Sequence, residues 1–244
     1  MFYHIEEHDS LRGEKLDDYL ERGWFRLKDK IDKGSHYMNL DRGELLRVVE
    51  LRYDVDEIVS HRSHRRIRRL NQNFKIKHSN NFKITPYDTV LYMNYYEHID
   101  FDTSPDIENI LTGNGNMEIF DTRCIRIYDG NDLIALGLYD MGKNSVASIL
   151  NCFDPDYAKY SLGKYIMLLI IDMMKGSGMK YYYPGYMMSG NPKFDYKLFI
   201  GKEAAYHLNE ESQWVRFDDE IMVYKELPFE ALLKYLELYL TANR

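Results

Sequence analysis

Three stretches of this 244-residue chain hold residue types whose spacing could do chemistry. The first is His61-Arg62-Ser63-His64-Arg65-Arg66-Ile67-Arg68-Arg69-Leu70-Asn71, with five arginines, two histidines and no acidic residue from 61 to 69. A guanidinium is a planar fork that engages phosphate oxygens in pairs, so such a cluster suits a nucleic-acid backbone. A solvated face paired with acids elsewhere is the plain alternative. Like charges packed together repel, and in a chain of net charge −7 that favours an anionic partner.

The second stretch is Ser161-Leu162-Gly163-Lys164-Tyr165, which follows Asp154-Pro155-Asp156. A helix opening with Ser and Gly offers free backbone N–H groups to a phosphate or carbonyl oxygen; an ordinary capped helix reads the same way. The third runs from Lys180 to Lys197: Tyr181-Tyr182-Tyr183-Pro184-Gly185-Tyr186, then Lys193-Phe194-Asp195-Tyr196-Lys197. Tyrosine stacks on a base and donates its hydroxyl to an oxygen, though a core strand plus turn would use the same residues. The chain carries 22 Tyr against 11 Phe and 2 Trp, a bias that suits wet clefts as well as cores.

Stepping outward, the periodicity predicts a helix over 14–23 stopped by Gly23, a polar turn around Asp32-Lys33-Gly34-Ser35, and a strand from Leu45 to Tyr53. Residues 61–71 read as a helix or tight loop, Phe74 to Ile84 as a strand, and Pro86 as the first residue of a helix running to about His98. Arg123–Tyr128, Leu133–Tyr139 and Ser145–Phe153 form an antiparallel meander, with turns at Asp129-Gly130-Asn131-Asp132 and Met141-Gly142-Lys143-Asn144. A buried helix is expected from Ser161, as its N-cap, to Gly176, then a strand from Met179 to Tyr183 and a C-terminal helix from Pro228. Meander, helix, strand: this order resembles the core of GNAT-type acyltransferases. The fold class expected is therefore α+β, GNAT-like, with a central helix and a packed N-terminal segment. Residues 1–85 are read as an N-terminal segment that carries the basic stretch and 86–244 as the GNAT-like domain.

The three stretches together resemble the aminoacyl-tRNA–protein transferase family, the arginyltransferases of eukaryotes and the related bacterial leucyltransferases. Ser63-His64-Arg65-Arg66 leading to Arg69-Leu70-Asn71 is similar to the family's SRSQRR and RRN segments. Asp154-Pro155-Asp156 with Ser161-Leu162-Gly163-Lys164-Tyr165 resembles its DPD and SLG–Tyr stretch, and Tyr181–Tyr186 with Lys193–Lys197 resembles its YYYLGYY and KM.YK segment. Gly23-Trp24-Phe25-Arg26 is similar to a fourth, N-terminal stretch, so the likeness spans roughly residues 19 to 200. The sequence departs from the pattern in lacking a cysteine-rich opening segment, in Leu70 within the RRN triplet, in Pro184, and in Ser189-Gly190-Asn191.

The resemblance implies transfer of arginine or leucine from aminoacyl-tRNA to the N-terminal α-amine of acceptor proteins, a degradation tag. It implies that Arg62, Arg65, Arg66 and Arg69 grip acceptor-stem phosphates while Asn71 orders the loop. Ser161, Leu162 and Gly163 would face the aminoacyl ester or the 3′-adenosine, with Tyr183, Tyr186 and Lys193 lining the pocket. Tyr196 and an exposed Lys197 would hold or polarise the ester, and Asp154 would receive the amine. No cofactor and no metal is implied, and no oligomeric state. The other classes weighed are an acyl-CoA-dependent N-acyltransferase, whose Gly-rich pyrophosphate loop is met only in part, and a non-catalytic tRNA- or peptide-binding relative.

Composition excludes several classes. Hydrophobic residues at 45% and charged residues at 29% are those of a globular chain with a core. Cys124 and Cys152 are the only cysteines and have no metal-ligand spacing, which fits a cytoplasmic, reducing setting. The first residues have no signal-peptide pattern, and the apolar run Ile166 to Ile171 is too short to span a bilayer, so no membrane partner is expected.

Overall fold

The structure is a computed structural model that describes residues 1–39, 44–99, 103–113, 115, 117–223 and 229–242. In chain order the elements are β1 (Tyr3–Glu6), α1 (Gly13–Glu21), β2 (Phe25–Leu27), β3 (Lys30–Gly34), β4 (His36–Asn39), β5 (Glu44–Asp54), α2 (Arg62–Leu70), β6 (Lys75–Ser79), α3 (Pro86–Tyr96), α4 (Ile107–Thr112), β7 (Thr122–Asp129), β8 (Asp132–Met141), β9 (Ser145–Phe153), α5 (Leu162–Ser177), β10 (Tyr181–Tyr183), β11 (Tyr186–Met188), β12 (Ala205–Leu208), β13 (Trp214–Arg216) and α6 (Phe229–Ala242). Short 3-10 turns cover Pro155–Tyr160 and Pro192–Ile200.

The meander forms where turn chemistry demands it. Gly130 takes a left-handed backbone, φ 59°, and closes the β7–β8 hairpin between Asp129 and Asp132. β8 and β9 then pair antiparallel, as expected. The large sheet runs β13-β12-β5-β10-β9-β8-β7-β6, with β4 and β11 also pairing β5. Its ladders are antiparallel except β9–β10, which is parallel. A separate three-stranded sheet, β1-β3-β2, lies N-terminal. β5 sits inside the large sheet between β10 and β12, so the N-terminal half supplies one of its inner strands.

α5 packs one apolar face on this sheet, with Leu162, Ile166, Ile170 and Met174 fully buried. Each such side chain contributes about 1.5–3 kcal/mol by leaving water. Gly137 on β8 sets the distance: a Cβ there would stand 2.3 Å from Ile166 Cγ2. On the opposite face Leu16, Leu20, Trp24, Phe25 and Ile31 pack with Tyr183. Arg26 of the Gly23–Arg26 stretch ties the two halves together. Its Nη1 donates to both carboxylate oxygens of Asp140, at 2.9 and 3.1 Å, and to Thr122 Oγ1 at 2.8 Å; the two charged side chains are 2% and 1% exposed.

Several boundaries differ from expectation. The polar turn at Asp32–Ser35 falls mostly within β3, because Ile31 is fully buried and the strand hydrogen-bonds to a neighbour on each side. α3 ends at Tyr96, before His98. α5 starts at Leu162; Ser161 holds a left-handed backbone, φ 54°, and makes no side-chain cap. The helix runs past Gly176 to a left-handed Gly178, φ 67°, which terminates it. The strand expected over Phe74–Ile84 is confined to Lys75–Ser79, and that from Met179 begins at Tyr181. Pro228, the expected start of the last helix, lies outside the described residues. No helix among the described residues is long and apolar enough to cross a membrane.

Candidate functional site

A parting of strands builds the site. β9 and β10 pair only over Ser145–Ala147 against Tyr181–Tyr183. Beyond that point β9 continues to Phe153, while the chain after Tyr183 turns through Pro184 and Gly185, φ 91°, to pair with β5 as β11. A β-bulge leaves Ile149 unpaired at the same place, between Ser148 opposite Tyr139 and Leu150 opposite Leu138. A bulge bends its strand and re-aims side chains, which is why such irregularities collect at sites. Ser148 Oγ and the Tyr182 hydroxyl, 2.7 Å apart, close the apex of the wedge.

One wall is the stretch from Gly185 to Lys197. The Lys197 Nζ donates to the Tyr186 carbonyl at 2.6 Å, and the Tyr53 hydroxyl donates to the Lys197 carbonyl at 2.8 Å. Lys197 is only 8% exposed, which corrects the expectation of an exposed lysine. The 3-10 turn folds its side chain inward over Gly185, and burial pulls its pKa from the usual lysine range down to about 7. Tyr196 behaves differently: 44% of it is exposed, yet burial raises its hydroxyl pKa, as for a side chain in a recess. Its hydroxyl acts electrostatically on those of Tyr95 and Tyr182, so the three share one neighbourhood. Lys193 is exposed on the rim.

Tyr186 stands opposite Glu50 in the β11–β5 ladder and edge-on to Phe25 at 6.1 Å. Glu50 and Asp32 are both carried up to about 7 by burial, and the Asp32 charge also acts on the Tyr186 hydroxyl. Tyr183 is fully buried on the opposite face from Tyr182. Its hydroxyl donates to Glu21 Oε2 at 3.3 Å and its ring meets Trp214 at 5.8 Å.

The other wall carries α3 and the start of α5. The Asp154 carboxylate accepts from the Asp156 N–H at 3.0 Å and from Asn94 Nδ2 at 3.3 Å, capping the turn before α5. Phe153 lies under Gly163, 3.8 Å from where a Cβ would stand, and packs on Tyr95 at 5.6 Å. Tyr95 thus links the Asp154–Gly163 wall to Tyr196. The Leu162 side chain is fully buried, so this residue offers the site its backbone alone. Asn94, Tyr95, Ser148 and Tyr53 stand in no motif, and only the meander hinted at Ser148.

The basic stretch is a helix whose two faces do different work. Arg62, Arg65, Arg66 and Arg69 are exposed. Arg65 donates to the Ser60 carbonyl, whereas among the described residues Arg62, Arg66 and Arg69 have no acidic partner. Arg68 clamps α2 to α5 through Asp172 at 2.7 Å. The inner face holds His64 and Asn71. His64 Nδ1 accepts from the His61 N–H at 3.3 Å, which leaves its Nε2–H to donate to the Phe199 carbonyl at 2.9 Å. Asn71 is fully buried and donates to the Ile67 and Tyr160 carbonyls, at 2.8 and 3.0 Å. α2 is therefore tethered to both walls, at Phe199 two residues past Lys197 and at Tyr160 just before Ser161.

Cys124 and Cys152 are buried and free, with pKa values raised by burial, so neither supplies a ready thiolate. Among the described residues no group of three or more His, Cys, Asp or Glu is placed to hold a metal ion.

Residues 87–205, which include both walls of the wedge but not α2, match the family described as arginine-tRNA-protein transferase, C terminus. An aspartate/glutamate leucyltransferase of Leptospira interrogans (serogroup Icterohaemorrhagiae, serovar copenhageni) is 31% identical over 88 residues, 36% of this chain and 34% of that protein. The enzyme of the same name from Shewanella sp. (strain MR-7) is 38% identical over 73 residues, 30% of this chain and 31% of its own. Arginyl-tRNA–protein transferase 1 of Saccharomyces cerevisiae is 37% identical over 77 residues, 32% and 15%. The chain thus matches about a third or less of the length of these curated relatives. Among solved structures, the ribosomal-protein-S18-alanine N-acetyltransferase of Escherichia coli aligns with TM-score 0.32 at 16% identity, over 43% of this chain and 63% of that one.

Proposed function

We propose, from the match of residues 87–205 to the arginine-tRNA-protein transferase C-terminal family, that this chain transfers an amino acid, arginine or leucine, from aminoacyl-tRNA to the N-terminal α-amine of an acceptor protein, as a degradation tag applied in the cytoplasm. The observation that supports the reading is that the matched stretch includes both walls of the wedge between β9 and β11.

The chemistry asks for positioning more than for a nucleophile. The ester is already activated, and an α-amine with pKa near 8 is about one-tenth neutral at pH 7. Holding amine and ester in line supplies up to about 7–11 kcal/mol. In this reading Arg62, Arg65, Arg66 and Arg69 grip acceptor-stem phosphates, and Asn71 holds their helix against the cleft from inside. The N–H groups at Leu162 and Gly163 receive the ester or the 3′-adenosine, while the Ser161 N–H closes the preceding turn on the Ala158 carbonyl at 3.1 Å. Tyr186, backed by Tyr183 and with Lys193 on the rim, lines the aminoacyl pocket. Tyr196 and Lys197 stand beside the reacting ester, and Asp154 orients the incoming amine. Residues 1–85 serve as the tRNA-contacting half and 86–244 as the transferring half.

The test is transfer from defined charged tRNAs to a peptide with an acidic N-terminus, read by mass spectrometry. A gain of one arginine or leucine residue supports the reading and identifies the amino acid. Acylation by an acyl-CoA in place of charged tRNA, or tRNA binding without transfer, overturns it.

A further inference from the structure

A lysine ammonium carries three N–H donors and no acceptor. Lys197 is enclosed, and its Nζ has one acceptor, the Tyr186 carbonyl at 2.6 Å. It also lies beside the Phe194 and Tyr186 rings, with centroids at 5.0 and 5.4 Å, and the bare backbone of Gly185. Among the described residues no carboxylate lies within ion-pair distance of it. Tyr53 on β5 and Tyr186 on β11 contact it, Tyr182 on β10 stacks on Tyr53, and Tyr196 is beside it in sequence; the Glu203 charge reaches this group through the Tyr53 hydroxyl. Burial holds all four hydroxyls neutral. Beyond Tyr186 lies Asp32, itself raised to about 7.

A cation over an aromatic ring gains about 0.5–2 kcal/mol, whereas enclosing an ammonium without a counter-ion costs several. Desolvation wins, and the neutral amine is the form this environment favours. A neutral amine has a lone pair. Gly185 lets Nζ lie against the turn where β10 leaves β9, since a Cβ there would stand 3.0 Å from Nζ.

We propose that Lys197, as the neutral amine, is the proton acceptor for the incoming α-ammonium group, a role that rests on the aminoacyl-transfer reading of the cleft. The acceptor's R–NH3+ gives one proton to Lys197 Nζ, which becomes –NH3+. The freed amine lone pair then forms the C–N bond at the ester carbonyl. As the tetrahedral adduct collapses, the C–O bond breaks, the 3′ oxygen leaves, and the remaining N–H+ proton passes to that oxygen as the terminal hydroxyl. Lys197 releases its proton to water and is neutral again.

Single-turnover transfer over a pH series, with wild type, Lys197→Met and Lys197→Arg, tests this. The wild-type rate should rise with pH and level off above an inflection near 7. Both variants should lose about 10²–10⁴-fold in rate with tRNA affinity retained, since neither has a base at that position. Small primary amines should restore Lys197→Ala in proportion to their basicity, which a structural role would not produce. An arginine variant as active as wild type overturns the proposal, as does an NMR titration of the Lys197 side chain with its inflection near 10. A wild-type protein that transfers nothing from any charged tRNA strikes the function itself; an active wild type with an equally active Lys197→Met strikes only this role.

Discussion

Ser148 Oγ and the Tyr182 hydroxyl lie 2.7 Å apart at the point where two parallel strands separate. The bond joins β9 to β10 just as their ladder ends, so side chains take over where backbone bonding stops. Tyr182 is fully buried and Ser148 half-buried.

Removing one partner should therefore strand the other, so the two losses should not add. Ser148→Ala should destabilise by about 1–3 kcal/mol, because it strands a buried hydroxyl. The Ser148→Ala/Tyr182→Phe double variant should be destabilised by less than the sum of the singles. Urea denaturation of the three variants measures the coupling; strictly additive values would show that the pair does not interact.

On α2, the exposed and inner faces should separate in a binding experiment. Arg62→Ala, Arg66→Ala and Arg69→Ala should each lower the slope of log affinity for tRNA against log salt by about one, and leave stability within about 0.5 kcal/mol. Asn71→Ala should do the reverse first: melting falls, because the Tyr160 carbonyl loses its donor. Equal salt slopes for wild type and the arginine variants would remove these residues from the phosphate contacts.

The Arg26–Asp140 pair is deeply buried and shares Thr122 and the Leu111 carbonyl. Arg26→Met leaves Asp140 as an uncompensated buried charge and should cost about 3–5 kcal/mol. Chemical denaturation reads this directly. A loss under 1 kcal/mol would mean that Asp140 finds another partner.

Glu50 fixes a pH signature. Burial raises its pKa from 4.5 to about 7, so the folded protein binds its proton more tightly than the unfolded chain does. That contribution is fully present below pH 4.5 and is lost as pH rises through 7. Glu50→Gln should remove it, so the variant should gain on wild type between pH 5 and 8, by roughly 3 kcal/mol at the upper end. Parallel stability–pH curves for the two proteins would contradict this.

The legible parts of the sequence were those set by local rules. Gly130 and the Met141–Asn144 turn punctuate the meander, and the apolar run through Ile166 and Ile170 marks the buried helix. What could not be read were features fixed by distant partners. β11 and β13 are three residues long and carry no alternation; they exist because β5 and β12 present edges to them. Lys197 follows Asp195 and Tyr196 in a polar stretch that reads as surface, and only the inward fold of the 3-10 turn encloses it. His64 and Asn71 stand among arginines, and nothing local names their partners, the carbonyls at Phe199 and Tyr160.

The position of β5 has a consequence for how the chain comes into being. The strand ends at Asp54, and its inner neighbours begin only at Tyr181 and Ala205. At about 5–20 residues per second, a ribosome would expose this apolar strand for on the order of ten seconds before either partner emerged. The cleft cannot assemble until then, because β10 and β11, which shape it, both pair with β5 and both come late in the chain. Nascent chains halted before Tyr181 should bind chaperones and remain protease-sensitive, and the wedge should close as a late, non-local event.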